Sequence, residues 1–243
     1  MSRWRAFSIH LLISLAVFGA ALLLMLRLWY PHPYFEAIGG SGLLRILVGV
    51  DVVLGPLITL VVFKAGKKGL KLDLTLIACA QLVALTYGLW VMAIARPVFV
   101  VFAVDRFNVI SAQEVDFSQA RPPFDHLSWT GPVLVAAQLP VGAAAQALLF
   151  SAAMGGADVQ NLARYYRPYA EQALAAVAKA RPLADLASRH PESADEIREF
   201  LKRHALPEEL AVYLPLSARL RSMAMVLDRR SGAVLGALPI DPW

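Results

Sequence analysis

Leu43–Phe63 reads LLRILVGVDVVLGPLITLVVF and runs on into Lys64-Ala-Gly-Lys67-Lys68-Gly-Leu-Lys71. The apolar run has the length a membrane-spanning helix needs, and no polar face recurs along it. One acid, Asp51, stands near its middle. On insertion scales a carboxylate at that depth costs at least ~2.5–3.5 kcal/mol, so it must be paired, protonated or turned toward something polar. Gly55-Pro56 follows within about one turn. Proline has no N–H, so it kinks the helix and is expected to free a carbonyl one turn earlier, near Val52.

Two further runs resemble this one, Ala6–Leu28 and Leu72–Ile94. Together they raise the chain of 243 residues to 58% hydrophobic, beyond the usual range of a soluble domain. The sequence therefore predicts spans at about 6–28, 43–63 and 72–94, making residues 1–96 a three-helix transmembrane region embedded in the lipid bilayer. The first run has a basic start, but its apolar core exceeds that of a signal peptide and no small-x-small site follows Trp29-Tyr30-Pro31. An uncleaved anchor is expected.

Charge gives the orientation. Arg3 and Arg5 precede the first span, and four lysines fill the loop after the second. The loop Pro31–Gly42 has no Lys or Arg. The positive-inside rule then places the N-terminus and the lysine loop in the cytoplasm, and everything after Arg96 outside, in the periplasm of a Gram-negative cell. Residues 1–96 hold nine Lys/Arg against three Asp/Glu, whereas residues 97–243 hold fourteen against fifteen. The basic balance is thus a membrane-flank signal, and no clustered basic face suggests nucleic acid as a partner.

Residues 97–243 read as an α+β domain with a mostly antiparallel sheet. Strands are expected at Val98–Val104, Phe107–Ile110, Val133–Gln138, Val212–Leu216, Ser222–Leu227 and Ala233–Leu238, and Gly232 marks a hairpin position that needs positive φ. Helices are expected at Gly142–Met154, Pro168–Ala180 and Leu183–Arg189. Ser193-Ala-Asp-Glu196 has the spacing of a capping box opening Ala194–His204. No linker separates Ile94 from Val98, so the sheet must stand against the bilayer surface.

Enzyme signatures are missing. The five histidines form no metal-binding pair, Cys79 has no second cysteine, and Gly39-Gly40-Ser41-Gly42 is a short flexible turn rather than a phosphate loop. Asp125-His126 with Ser128 reads as ordinary loop, because sequence neighbours rarely face one another as a triad requires. Nothing calls for a cofactor or a metal. The polar residues inside the spans are the better signal. Asp51 stands ~18 Å and Gln81 ~13 Å above the cytoplasmic helix ends, so they can meet, whereas His10 at ~6 Å falls near the interface. With Gly55 and Pro56 they form a candidate set for either locking helix register or presenting a notch to a partner helix. A proton path would need more groups.

Several segments carry a resemblance: Ser2-Arg-Trp-Arg-Ala-Phe7, Ile9-His10-Leu-Leu-Ile-Ser14, Trp29-Tyr30-Pro31, Val50-Asp51-Val-Val-Leu-Gly55-Pro56-Leu-Ile-Thr59, Gly66-Lys-Lys-Gly-Leu-Lys71 and Asp241-Pro242-Trp243. In these the chain resembles the TfpX/TfpZ type IV pilin accessory proteins over its whole length. The resemblance implies an inner-membrane, non-enzymatic protein that assists one type IV pilin, major or minor, in its stability or assembly. A bundle with a polar notch joined to a periplasmic domain suits a client with an apolar N-terminal helix and a globular head. An envelope sensor signalling through a membrane partner, and a transferase acting on the pilin, are the competing readings. The first has almost no cytoplasmic part to signal with, and the second lacks an acidic motif at the membrane surface.

Overall fold

The computed structural model describes residues 2–243. Three helices are long and apolar enough to cross a membrane: Arg3–Trp29, Gly40–Val62 and Leu70–Ala95. The first begins three residues before its apolar run because the Ser2 hydroxyl accepts the Arg5 N–H and caps it. The second begins at Gly40, so most of the glycine-rich turn expected at 39–42 is already helix. Outward side chains such as Leu12, Val61 and Leu72 are more than 60% exposed, as lipid-facing residues are in the free protein. The second span packs against both others, while the first and third touch only weakly. That arrangement leaves a cleft between the first and third spans, with the second as its floor.

The chain enters β1 (Pro97–Ala103) one residue after the third span. The remaining strands are β2 (Arg106–Ser111), β3 (Val133–Ala137), β4 (Tyr166–Pro168), β5 (Arg181–Pro182), β6 (Ala211–Ser217), β7 (Met223–Asp228) and β8 (Val234–Leu238). They make one sheet in the order β4-β3-β1-β2-β6-β7-β8, with β5 added beside β6. Five of the seven pairings are antiparallel; β1 with β3 and β2 with β6 are parallel. The expected α+β class with a mostly antiparallel sheet is thus observed, and Gly232 takes φ +71° in the β7–β8 turn.

The two faces of the sheet have different partners. On one face Val100, Phe102, Leu214 and Met225 share a core with Met25, Tyr30, Ile38 and Met92, which belong to the sheet-side ends of the spans and their connection. The other face is covered by helices 183–189 and 194–203 at the β6–β8 side, and by Leu148 of helix 143–153 with the segment after β2 at the β1–β3 side. Alternation along β1 sends Val100 and Phe102 toward the bundle and Val101 and Ala103 away from it.

Two local expectations fail. Residues 168–180 are not one helix: Pro168 ends β4, a 3-10 turn covers Tyr169–Gln172, and the helix is Ala173–Lys179. Pairing of Tyr166–Pro168 with β3 claims the start of the segment. Ser193 does not cap its helix either, because it closes a 3-10 turn at φ −99°, ψ 6° and lies outside the extended region a cap needs. The capping box instead stands at Ser111–Glu114, immediately after β2.

Candidate functional site

The middle of the second span is wound more loosely than an α-helix. Gly49–Leu54 is a π-helical turn, and the Gly55 N–H reaches back five residues to the Val50 carbonyl. In that register the next donor should come from residue 56 and the next acceptor is Asp51. Residue 56 is proline, so the Asp51 carbonyl loses its helical partner. Gln81 of the third span supplies the replacement, donating from Nε2 to the Asp51 carbonyl at 3.0 Å. Gly55 makes room for this, since a Cβ there would stand 1.9 Å from Gln81 Nε2. The freed carbonyl is therefore at Asp51 and not near Val52, because π winding shifts the acceptor by one residue.

His10 belongs to the same layer. Its Nδ1 lies 2.6 Å from Thr59 Oγ1 and its Nε2 2.6 Å from Gln81 Oε1. Gln81 donates with its amide nitrogen to a carbonyl, so its oxygen faces His10 and must accept. The proton of the imidazole is thereby placed on Nε2, with the Thr59 hydroxyl free to donate to Nδ1. His10, expected lower than Asp51 and Gln81, is thus in direct contact with Gln81. A helix that starts at Arg3 puts His10 ~10 Å deep, within side-chain reach of the others. Hydrogen bonds thus run from the first span to the second and the third at one level.

Asp51 joins this layer by its backbone alone. The residue is 6% exposed, and no described residue donates to either carboxylate oxygen. Asp51 lines the cleft between the first and third spans, a space of about 340 Å³ whose walls include Ile13, Val17, Phe18, Leu82 and Leu85. His10, Ser14 and Gln81 supply the remaining polar lining. The arrangement has no nucleophile paired with a base and no donor cluster for a metal among the described residues. What it offers is one uncompensated acceptor in an apolar trough.

Thr59 and Ser14 escaped the sequence reading, yet a spacing announces them. Asp51, Gly55 and Thr59 recur every four residues on the second span, as Ala6, His10 and Ser14 do on the first, and all but His10 are buried. Small residues at that interval let two helices approach closely in a membrane.

Above the cleft, Arg96 fastens the third span to the sheet. Its guanidinium lies between the rings of Trp29 and Trp129, at 5.8 and 5.9 Å from their centroids. It donates to the carbonyls of Ala93 at 2.6 Å and Ser128 at 3.2 Å. Ala93 lies in the last turn of the span, where orphan carbonyls favour a cation. Tyr30 donates to the Met92 carbonyl at 2.6 Å. Burial raises the Tyr30 phenol above its ordinary range and lowers the Arg96 guanidinium below its own. Main-chain bonds from Gly131 to Leu28 and from Leu220 to Ala37 complete the junction. By contrast, Asp125, His126 and Ser128 form no triad: Asp125 pairs with His126 in the open, and Ser128 donates to the Thr130 carbonyl.

Comparison with known proteins gives a consistent picture. The family described as fimbrial assembly protein FimB matches residues 1–39. Fimbrial assembly proteins of serogroup I and of serogroup E1 from Dichelobacter nodosus are each 30% identical over 242 residues, spanning 97% of this chain and 94% of theirs. The fimbrial assembly protein of serogroups C1 and C2 from the same organism is 37% identical over 109 residues, 44% of this chain and 83% of its own. No solved structure matches.

Proposed function

Because this chain belongs to the fimbrial assembly protein family, we propose that it is an inner-membrane accessory protein of the TfpX/TfpZ kind that assists a type IV pilin, major or minor, without catalysis. The lysine loop and the basic N-terminus face the cytoplasm, and the α+β domain stands in the periplasm. The pilin's apolar N-terminal helix rests in the cleft between the first and third spans while its globular head meets the domain.

The observation that carries this reading is the shared core. Sheet residues Val100, Phe102 and Leu214 pack in one cluster with Met25, Tyr30 and Met92 of the spans and their connection, so cleft and domain form one body. Two modest contacts on one rigid body raise the effective concentration of the second once the first is made. Close packing and a few hydrogen bonds suffice to hold a helix in a bilayer, so no bond need be made or broken.

A photo-crosslinking residue tests the geometry. Placed at Ile13 or Leu82 on the cleft walls, it should capture a co-expressed pilin; placed at Val61, 79% exposed on the second span, it should not. Equal capture from all three positions, or none, overturns the reading.

A further inference from the structure

We infer that the helix received by the cleft carries a cationic hydrogen-bond donor, a side-chain or terminal amine, that pairs with Asp51 at mid-membrane depth. This rests on reading the cleft as a helix dock, and not on the client being a pilin. Asp51 lies eleven residues from either end of Gly40–Val62, ~16 Å from each surface by helical rise. Asp51 lines the cleft, and its carboxylate is buried there without a partner.

The imidazole and the amide beside it are already committed. Both ring nitrogens of His10 are occupied, by Thr59 and by Gln81, and the Gln81 oxygen is taken by His10. Turning His10 or Gln81 toward the carboxylate would break the layer that joins the three spans, and Ser14 can bring only a neutral hydroxyl. A lipid chain offers nothing polar at that depth. A second copy of this chain brings no lysine or arginine there either: Arg27 lies two residues from the outer end of its span, and Arg45 five. A foreign helix with one amine at the matching level removes two penalties together, since each charge compensates the other's burial.

The test uses the full-length protein with the photo-crosslinker at Ile13, co-expressed with either of two model helices. One is a leucine/alanine span with a single lysine at its midpoint, and the other has leucine in that place. The lysine helix should be captured about tenfold more, as expected when a buried charge finds its partner, and Asp51→Asn should abolish the preference. Should Asp51→Asn fail to accumulate, the two helices in the wild-type protein still decide the matter. Equal capture of the two helices, or a preference that survives Asp51→Asn, overturns the inference. Capture of the lysine helix without capture of pilin removes the pilin reading and leaves this one standing. Capture of pilin without any preference for lysine does the reverse.

Discussion

At Gly55 a single hydrogen atom decides whether the second and third spans can meet. Gln81 Nε2 occupies the place where a side chain would begin, and from there it satisfies the Asp51 carbonyl. Gly55→Ala should push the amide away and leave that carbonyl unpaired, with a loss of about 1–3 kcal/mol. Gly49→Ala, whose Cβ would meet nothing within 4 Å, should be close to neutral. Thermal unfolding of the two variants in detergent measures the contrast, and equal midpoints would refute it. Asp51, Gly55, Pro56 and Gln81 were legible in the sequence because each is conspicuous in an apolar run. The contact of His10 with Gln81 was not legible for a plain reason: apolarity starts at Ala6, but the helix starts at Arg3, ~4.5 Å lower. Asp51 and Gln81 do meet, but through the Asp51 carbonyl, and that detail was not legible because no residue pattern records that Gly49–Leu54 winds as a π-helix.

Between elements, the junction at Arg96 carries more than its length suggests. One residue separates the third span from β1, and its guanidinium ties the helix end to the loop before β3 through two carbonyls and two indole rings. Arg96→Leu removes two charge-assisted hydrogen bonds but also a buried cation. The net loss should be about 2–3 kcal/mol, with Ser128–Gly131 freed first. Faster amide exchange confined to that loop would show it, whereas unchanged protection there would count against the clamp. Strands were readable because a half-buried sheet imposes alternation and because Asp228–Gly232 is a turn in composition. The helix expected at 168–180 was not, since pairing with β3 is a long-range event that overrides local preference. The same spacing of Ser and Glu occurs at Ser111–Glu114 and Ser193–Glu196, and backbone conformation alone selects the first.

At the scale of the molecule, membrane part and sheet are not separable bodies. Cutting the chain at residue 97 would expose Val100, Phe102, Leu214, Leu216 and Met225, all now buried against one core with the span ends. Burial of a large apolar side chain contributes about 1.5–3 kcal/mol, so several such losses rival the whole stability of a domain. Residues 97–243 expressed alone should therefore associate or bind a hydrophobic dye, and a monodisperse, dye-silent fragment would contradict this. Composition showed where the apolar spans end. It did not show that one face of the sheet would use those ends as its second layer, because a strand buried against helices and one buried against another sheet read alike.

The direct passage from Ala95 through Arg96 into Pro97 also has a mechanical meaning. With one residue between them and a shared core, a lean of the third helix should carry the sheet with it. A bilayer whose thickness changes alters helix tilt. Through that junction, a change in lipid thickness around the bundle should reorient the domain joined to it.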